Sequence, residues 1–247
     1  MADIAFLDHP AVSEAALDLW PPVDPAEVET GDPVQKGRYI REDAGDGLSV
    51  GSWHCTAYSG PMAPCPFDEY MVLLAGRVEI HHSDGAVLRI GPGQGFLVPK
   101  GLVCRWVQTG PVLKHFLIYD DGTPPEAHSA PGQRAILIDP STELTPGDPP
   151  PAAILSSAQP TCGERVLYRS RDGRLEVLQW SATPYTRTEQ TAKATEFMHF
   201  LTGATEIGDS RGAVVPVTTG ESVLVPKGAR TAWESRVPVV KVACFFS

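Results

Sequence analysis

Glu69 and Lys114 are the side chains in this chain best suited to chemistry, and both occur twice: Glu196 and Lys241 follow them, each 127 positions later. Tyr58 recurs at the same offset as Tyr185, and Trp53 and Trp106 recur as Trp180 and Trp233. If each glutamate and lysine point into one cavity, each offsets the other's desolvation. Together they would orient a polar ligand between aromatic walls. A lysine there could also act as a base or Schiff-base amine, or the pair as general acid and base. The plainer alternative is a cross-strand ion pair, or a lysine whose stem packs while its head reaches water. Both stay open from residue types alone.

The same offset runs through the residues that must position these groups. Gly76, Gly85, Gly93, Pro99 and Gly101 recur as Gly203, Gly212, Gly220, Pro226 and Gly228, without insertion or deletion. A period this long means two copies of a whole domain and not a solenoid. Within each copy, short apolar or alternating runs such as Tyr70 to Leu74, Val78 to Ile80 and Ala86 to Ile90 are punctuated by Gly, Asp and Pro. Such spacing predicts strands throughout, in a sandwich or closed barrel. Asp84-Gly85 predicts a tight hairpin turn, and Ser13 to Leu19 a single helical turn capped by Ser13. Residues 120 to 151 are rich in Pro, Gly and Asp around one apolar island, Ala135 to Ile138. They read as a linker leading into an edge strand of the second domain, comparable to Ile4 to Asp8. The expected division is residues 1–125 and 126–247, with 126–155 as linker and leading edge strand.

Two pairs of motifs narrow the fold. Glu69 stands before Gly76 with six residues between, and Gly93, Pro99 and Gly101 form Gly-x5-Pro-x-Gly; both motifs are repeated in the second copy. This two-part pattern resembles the signature of the cupins. Gly51-Ser52-Trp53, Pro66-Phe67-Asp68-Glu69, Arg105-Trp106 and Lys114 look like the branch holding ureidoglycine aminohydrolase-type and ethanolamine-utilisation cupins. The resemblance spans roughly residues 33 to 119 and 160 to 246. It implies an all-β bicupin: two tandem jelly-roll barrels, each able to hold a ligand in its mouth.

The resemblance also implies a metal, held by His-x-His, a glutamate and a later histidine. Here Ala63, Pro64 and Cys65 occupy the His-x-His stretch and Cys104 the last position. In the second copy the matching residues are Gln190, Thr191, Ala192 and Thr231. No histidine stands at any of these positions, so the second barrel is expected to bind no metal in the usual way. In the first, Cys65, Glu69 and Cys104 leave three readings: a thiolate–carboxylate metal site, two small apolar wall residues, or a redox-sensitive disulfide.

Other candidates carry less. His81 and His82 are adjacent on a strand, point to opposite faces, and read as surface residues. His54 and His115 neighbour Trp53 and Lys114 and so face away from them. His199 has the opposite parity to Glu196. Gly91 to Gly95 precedes a strand, so it is no dinucleotide fingerprint, and no Gly-x-Ser-x-Gly elbow or P-loop occurs.

Composition bounds the partners. Net charge is −10 with no basic cluster, which argues against nucleic acid. No apolar run approaches a membrane span, and MADIAFLDHP lacks the features of a secretory signal. Five cysteines without an even framework suggest a reduced, cytoplasmic setting. The expected partner is a small-molecule ligand, and the chain is expected to be a monomer or homodimer, since fused barrels can replace a dimer. The leading expectation is a bicupin binding a small polar metabolite in the first barrel, where Phe67-Asp68-Glu69 keeps the closer family match. A metal-dependent aminohydrolase-like enzyme and a structural or sensing protein are the alternatives.

Overall fold

The computed structural model describes residues 4–7 and 13–247. Regular structure among them consists of strands and short 3-10 turns. The chain divides into two compact units, one of Pro10–Ile138, the other of Asp139–Ser247 with Met1–His9.

In the Pro10–Ile138 unit, one antiparallel sheet has the order Ile136–Leu137, Gly95–Val98, Asp68–Ala75, Val112–Tyr119, Leu48–Cys55, Gln35–Asp43, Asp18–Leu19. The other runs Val87–Ile90, Val78–His82, Val103–Gln108, Tyr58–Ser59, Thr30–Gly31, with Ala63–Pro64 also on Val103–Gln108. Alternation sends Trp53, Met71, Ile80, Phe96, Val98 and Phe116 into one core. Register then sets the site: Lys114 lies opposite Trp53, Phe116 opposite Met71, and Ile118 opposite Glu69. Two antiparallel sheets enclosing one core are the expected jelly-roll barrel.

The second unit repeats the plan. Its first sheet has the order Ala5–Leu7, Ser222–Val225, Thr195–Thr202, Val239–Phe246, Leu175–Ala182, Cys162–Arg169, Thr145–Gly147. Its second runs Tyr185–Thr191, Arg230–Ser235, Ala204–Asp209, Val214–Thr218. Lys241 lies opposite Trp180, as Lys114 lies opposite Trp53.

The repeated glycines hold the turns. Gly76 and Gly203 both have φ +87°, and a Cβ at either would strike a backbone carbonyl oxygen, that of Pro111 or Pro238. A side chain is therefore excluded twice over, by φ and by space.

The expected division near residue 125 is corrected. Ile136–Leu137 does not lead the second barrel; it pairs with Gly95–Val98 of the first. The equivalent place beside Ser222–Val225 is taken by Ala5–Leu7. Phe6 faces Val223 and Leu137 faces Phe96, so the two short strands are true counterparts, each completing the other copy's barrel. An edge strand adds through backbone hydrogen bonds, which any short apolar segment supplies, so its own sequence does not say which barrel it joins. Of the compared segment Ile4 to Asp8, Asp8 lies outside the described residues.

Two smaller expectations change as well. Ser13 precedes a 3-10 turn, Glu14–Ala16, but its side chain makes no capping hydrogen bond, and Asp18–Leu19 is already strand. His82 is buried, not a surface residue, because it shares the inward parity of Val78 and Ile80. His81 remains half-buried and pairs with Glu79 at 2.7 Å. His54 and His115 do take the face opposite Trp53 and Lys114, where they are buried, His115 against Ser52 at 2.9 Å.

Candidate functional site

Lys114 reaches across the sheet to donate to Glu69 Oε1 at 2.7 Å and to Met71 Sδ at 3.1 Å. Its Nζ also lies 4.8 Å from the ring centroids of both Trp53 and Trp106. The indoles stand edge to face, 6.3 Å apart at 83°, so two ring faces converge on one ammonium. Their N–H groups turn away to Gln35 Oε1 (2.9 Å) and Gln108 Oε1 (2.7 Å). Gln108 is pinned in turn by the Cys55 and Thr56 carbonyls. These hydrogen bonds fix both rings around the lysine.

The second barrel repeats this arrangement closely. Lys241 donates to Glu196 Oε1 at 2.7 Å and to Met198 Sδ at 2.8 Å. Its Nζ lies 5.1 Å from the Trp180 centroid and 5.3 Å from that of Trp233. Those rings are 6.4 Å apart at 88°. Glu69 and Lys114 are only 8% and 7% exposed, so the pair is desolvated and each member relies on the other.

Each pair forms part of a cavity wall. The first cavity, about 580 Å³, is bounded by Glu69, Lys114, Trp53, Tyr58 and Trp106, and by Cys65, Cys104 and Phe67. The second, about 360 Å³, is bounded by Glu196, Lys241, Trp180, Tyr185 and Trp233. All the expected pocket residues are thus assembled, five in each barrel. Burial raises the phenol pKa of Tyr58 and of Tyr185, so both are neutral hydroxyls; near Tyr58 the carboxylates of Glu69 and Glu27 push the same way.

The first cavity differs from the second through the chain ahead of its repeat. Trp20 stacks on Tyr39 (4.8 Å, 25°) and meets Phe116 edge-on at 6.4 Å. It covers Gly37, where a Cβ would overlap the indole. Asp24 and Glu27 add acidic groups to the cavity lining. Lys114 is the only cationic side chain bounding this cavity among the described residues.

The cysteines do not complete a metal centre. Among the described residues no three His, Cys, Asp or Glu side chains come together as a ligand set, so Cys65, Glu69 and Cys104 are not assembled as one. All five cysteines are free thiols. Burial raises the pKa of Cys65 above its usual range, with Cys104 and Glu69 adding to it, and pushes Cys104 up to about 11. Cys65 spends its proton on the Phe67 carbonyl at 3.3 Å. Metal binding needs thiolates, which this environment disfavours. The glutamate that the cupin pattern gives to a metal carries an ammonium instead, and the donors present do not fit a transition metal.

Sequence reasoning passed over several members of these sites. Met71 and Met198 recur at the same offset as the glutamates and could have been found by it. Trp20 lies outside the repeat, and Gln35 does not recur, so neither carried a signal. Glu164 and Arg187 bound the second cavity where the first copy has Gly37 and Gly60, a difference that a search for identities does not show.

Comparison with known proteins agrees with this architecture. The sequence pattern of the EutQ-like cupin domain matches residues 42–116 and again 169–243. No curated protein matches the chain by sequence. Among solved structures, a DUF861-family protein of unknown function from Pseudomonas syringae pv. tomato is 22% identical, with TM-score 0.80 over 98% of each chain. A putative dioxygenase from Nostoc punctiforme is 12% identical, with TM-score 0.61 over 98% of this chain and 82% of that one. Protein Ylba of E. coli, also of the DUF861 family, is 11% identical, with TM-score 0.55 over 99% and 91%. At these identities the likeness is one of fold.

Proposed function

The chain belongs to the EutQ-like cupin family, with two copies of the domain, and from that premise we propose that its first barrel binds a small organic molecule without a metal. The observation that carries this reading is the Glu69–Lys114 pair on the wall of an aromatic cavity. Lys114 spends its donors on Glu69 Oε1, Met71 Sδ and two indole faces. Glu69 Oε2 takes no part in those bonds and is the acceptor left for a guest. With the lysine neutralising its partner and Asp24 and Glu27 also bounding the cavity, it favours a ligand that donates hydrogen bonds. A flat, weakly polar body suits Trp53, Trp106, Phe67 and Tyr58. Amines, amides and ureido compounds have this chemistry; carboxylates do not. In this reading Glu69 and Lys114 hold the ligand and orient it.

Titration with three probes of one shape tests the charge preference. Benzylamine, benzamide and benzoate share a ring and differ in the polar group. Benzylamine and benzamide are expected to change tryptophan emission saturably, with benzoate at least about 10-fold weaker, a difference of about 1.4 kcal/mol. Glu69→Gln should lower benzylamine affinity by a similar factor. Benzoate binding as tightly as benzylamine, or benzylamine unaffected by Glu69→Gln, would contradict the proposal.

A further inference from the structure

The second cavity carries two ionised side chains that the first lacks, and they stand on different sheets. Glu164 lies in Cys162–Arg169, opposite Trp180, and Arg187 in Tyr185–Thr191, opposite Trp233. Register makes Gly37 and Gly60 their counterparts: Gly37 lies opposite Trp53, and the Gly60 N–H donates to the Trp106 carbonyl. The first barrel covers its glycine with Trp20; the second has a carboxylate in that place and a guanidinium across from it.

Neither charge is matched from within the protein. Lys241 and Glu196 neutralise each other at 2.7 Å. Arg187 donates to the Thr231 carbonyl (2.6 Å) and hydroxyl (2.9 Å), and it bounds the cavity beside the neutral Tyr185 phenol. These partners are all uncharged, and a guanidinium has five N–H donors. Among the described residues neither Arg187 nor Glu164 has an ion-pair partner, although both bound the cavity. Two unpaired opposite charges on facing walls are complementary to a guest carrying both signs.

We infer that the second barrel is a site for a small zwitterion of the amino-acid type, its carboxylate held by Arg187 and its ammonium by Glu164. The guanidinium fork matches a carboxylate in two-pronged geometry. The cavity, about 360 Å³, suits a short molecule, and Trp180 and Trp233 bound its apolar part. The two barrels of one chain thus select different charge patterns. This site stands independently of the reading of the first barrel.

Calorimetric titration of the full chain with glycine, β-alanine and γ-aminobutyrate, beside acetate and methylamine, tests it. At least one zwitterion should bind at least about 10-fold more tightly than either single-charge probe. Arg187→Met and Glu164→Gln should each reduce that affinity at least about 10-fold. Each variant's unfolding curve, recorded without ligand, shows that it is folded; if Arg187→Met is not, Arg187→Lys replaces it, keeping charge and losing the fork. Acetate binding as tightly as every zwitterion, no zwitterion binding at all, or folded variants that bind as the parent does, would overturn the assignment.

Discussion

Lys114 and Lys241 show why a lysine is kept twice inside a barrel. Each ammonium meets a carboxylate, a thioether and two indole faces, partners that an apolar replacement would leave stranded. Removing one member of a buried pair leaves an uncompensated charge, which typically costs about 3–5 kcal/mol, whereas replacing both with apolar groups is often near neutral. Lys114→Met should therefore lower the denaturant midpoint of its unit strongly, by an amount equivalent to that range. Adding Glu69→Leu to Lys114→Met should restore most of the loss. A single variant as stable as the parent would mean that the pair is solvated. If the double variant stays as unstable as the single one, the cost comes from the indole contacts and not from the stranded carboxylate.

At the scale of elements, the short strands are the informative ones. Ala5–Leu7 pairs with Ser222–Val225, and Ile136–Leu137 with Gly95–Val98. Removing residues 1–9 should therefore unprotect to hydrogen exchange those amides of Ser222–Val225 that bond Ala5–Leu7, and leave those of Gly95–Val98 protected. The reverse pattern would contradict the strand exchange. The repeat made the barrels legible in advance: glycines kept at turns, and Glu69, Lys114 and Tyr58 kept without a turn to explain them. The likeness of their short apolar segments, at an offset of its own, matched the two edge strands to each other. It did not say which barrel each completes, because edge pairing is backbone chemistry and depends on the path of the chain. Trp20 was illegible for a related reason, since it covers Gly37 from a stretch with no counterpart in the repeat.

At the scale of the whole molecule, duplication has kept one framework and changed what it encloses. Both cavities retain the glutamate, lysine, methionine and paired indoles. They diverge at Gly37 and Glu164, and at Gly60 and Arg187, positions where only a comparison of differences reveals a site. In both, the cation beside the glutamate is the protein's own lysine, and the binding proposed above would rest on fixed charges and indoles without a metal. Elemental analysis of purified protein, after loading with manganese, iron and zinc and removal of excess, tests this most directly. Far less than one metal ion per chain is expected, the same for the parent and for Glu69→Gln. Close to one equivalent, lost in Glu69→Gln or when Cys65 and Cys104 are replaced by serine, would contradict it.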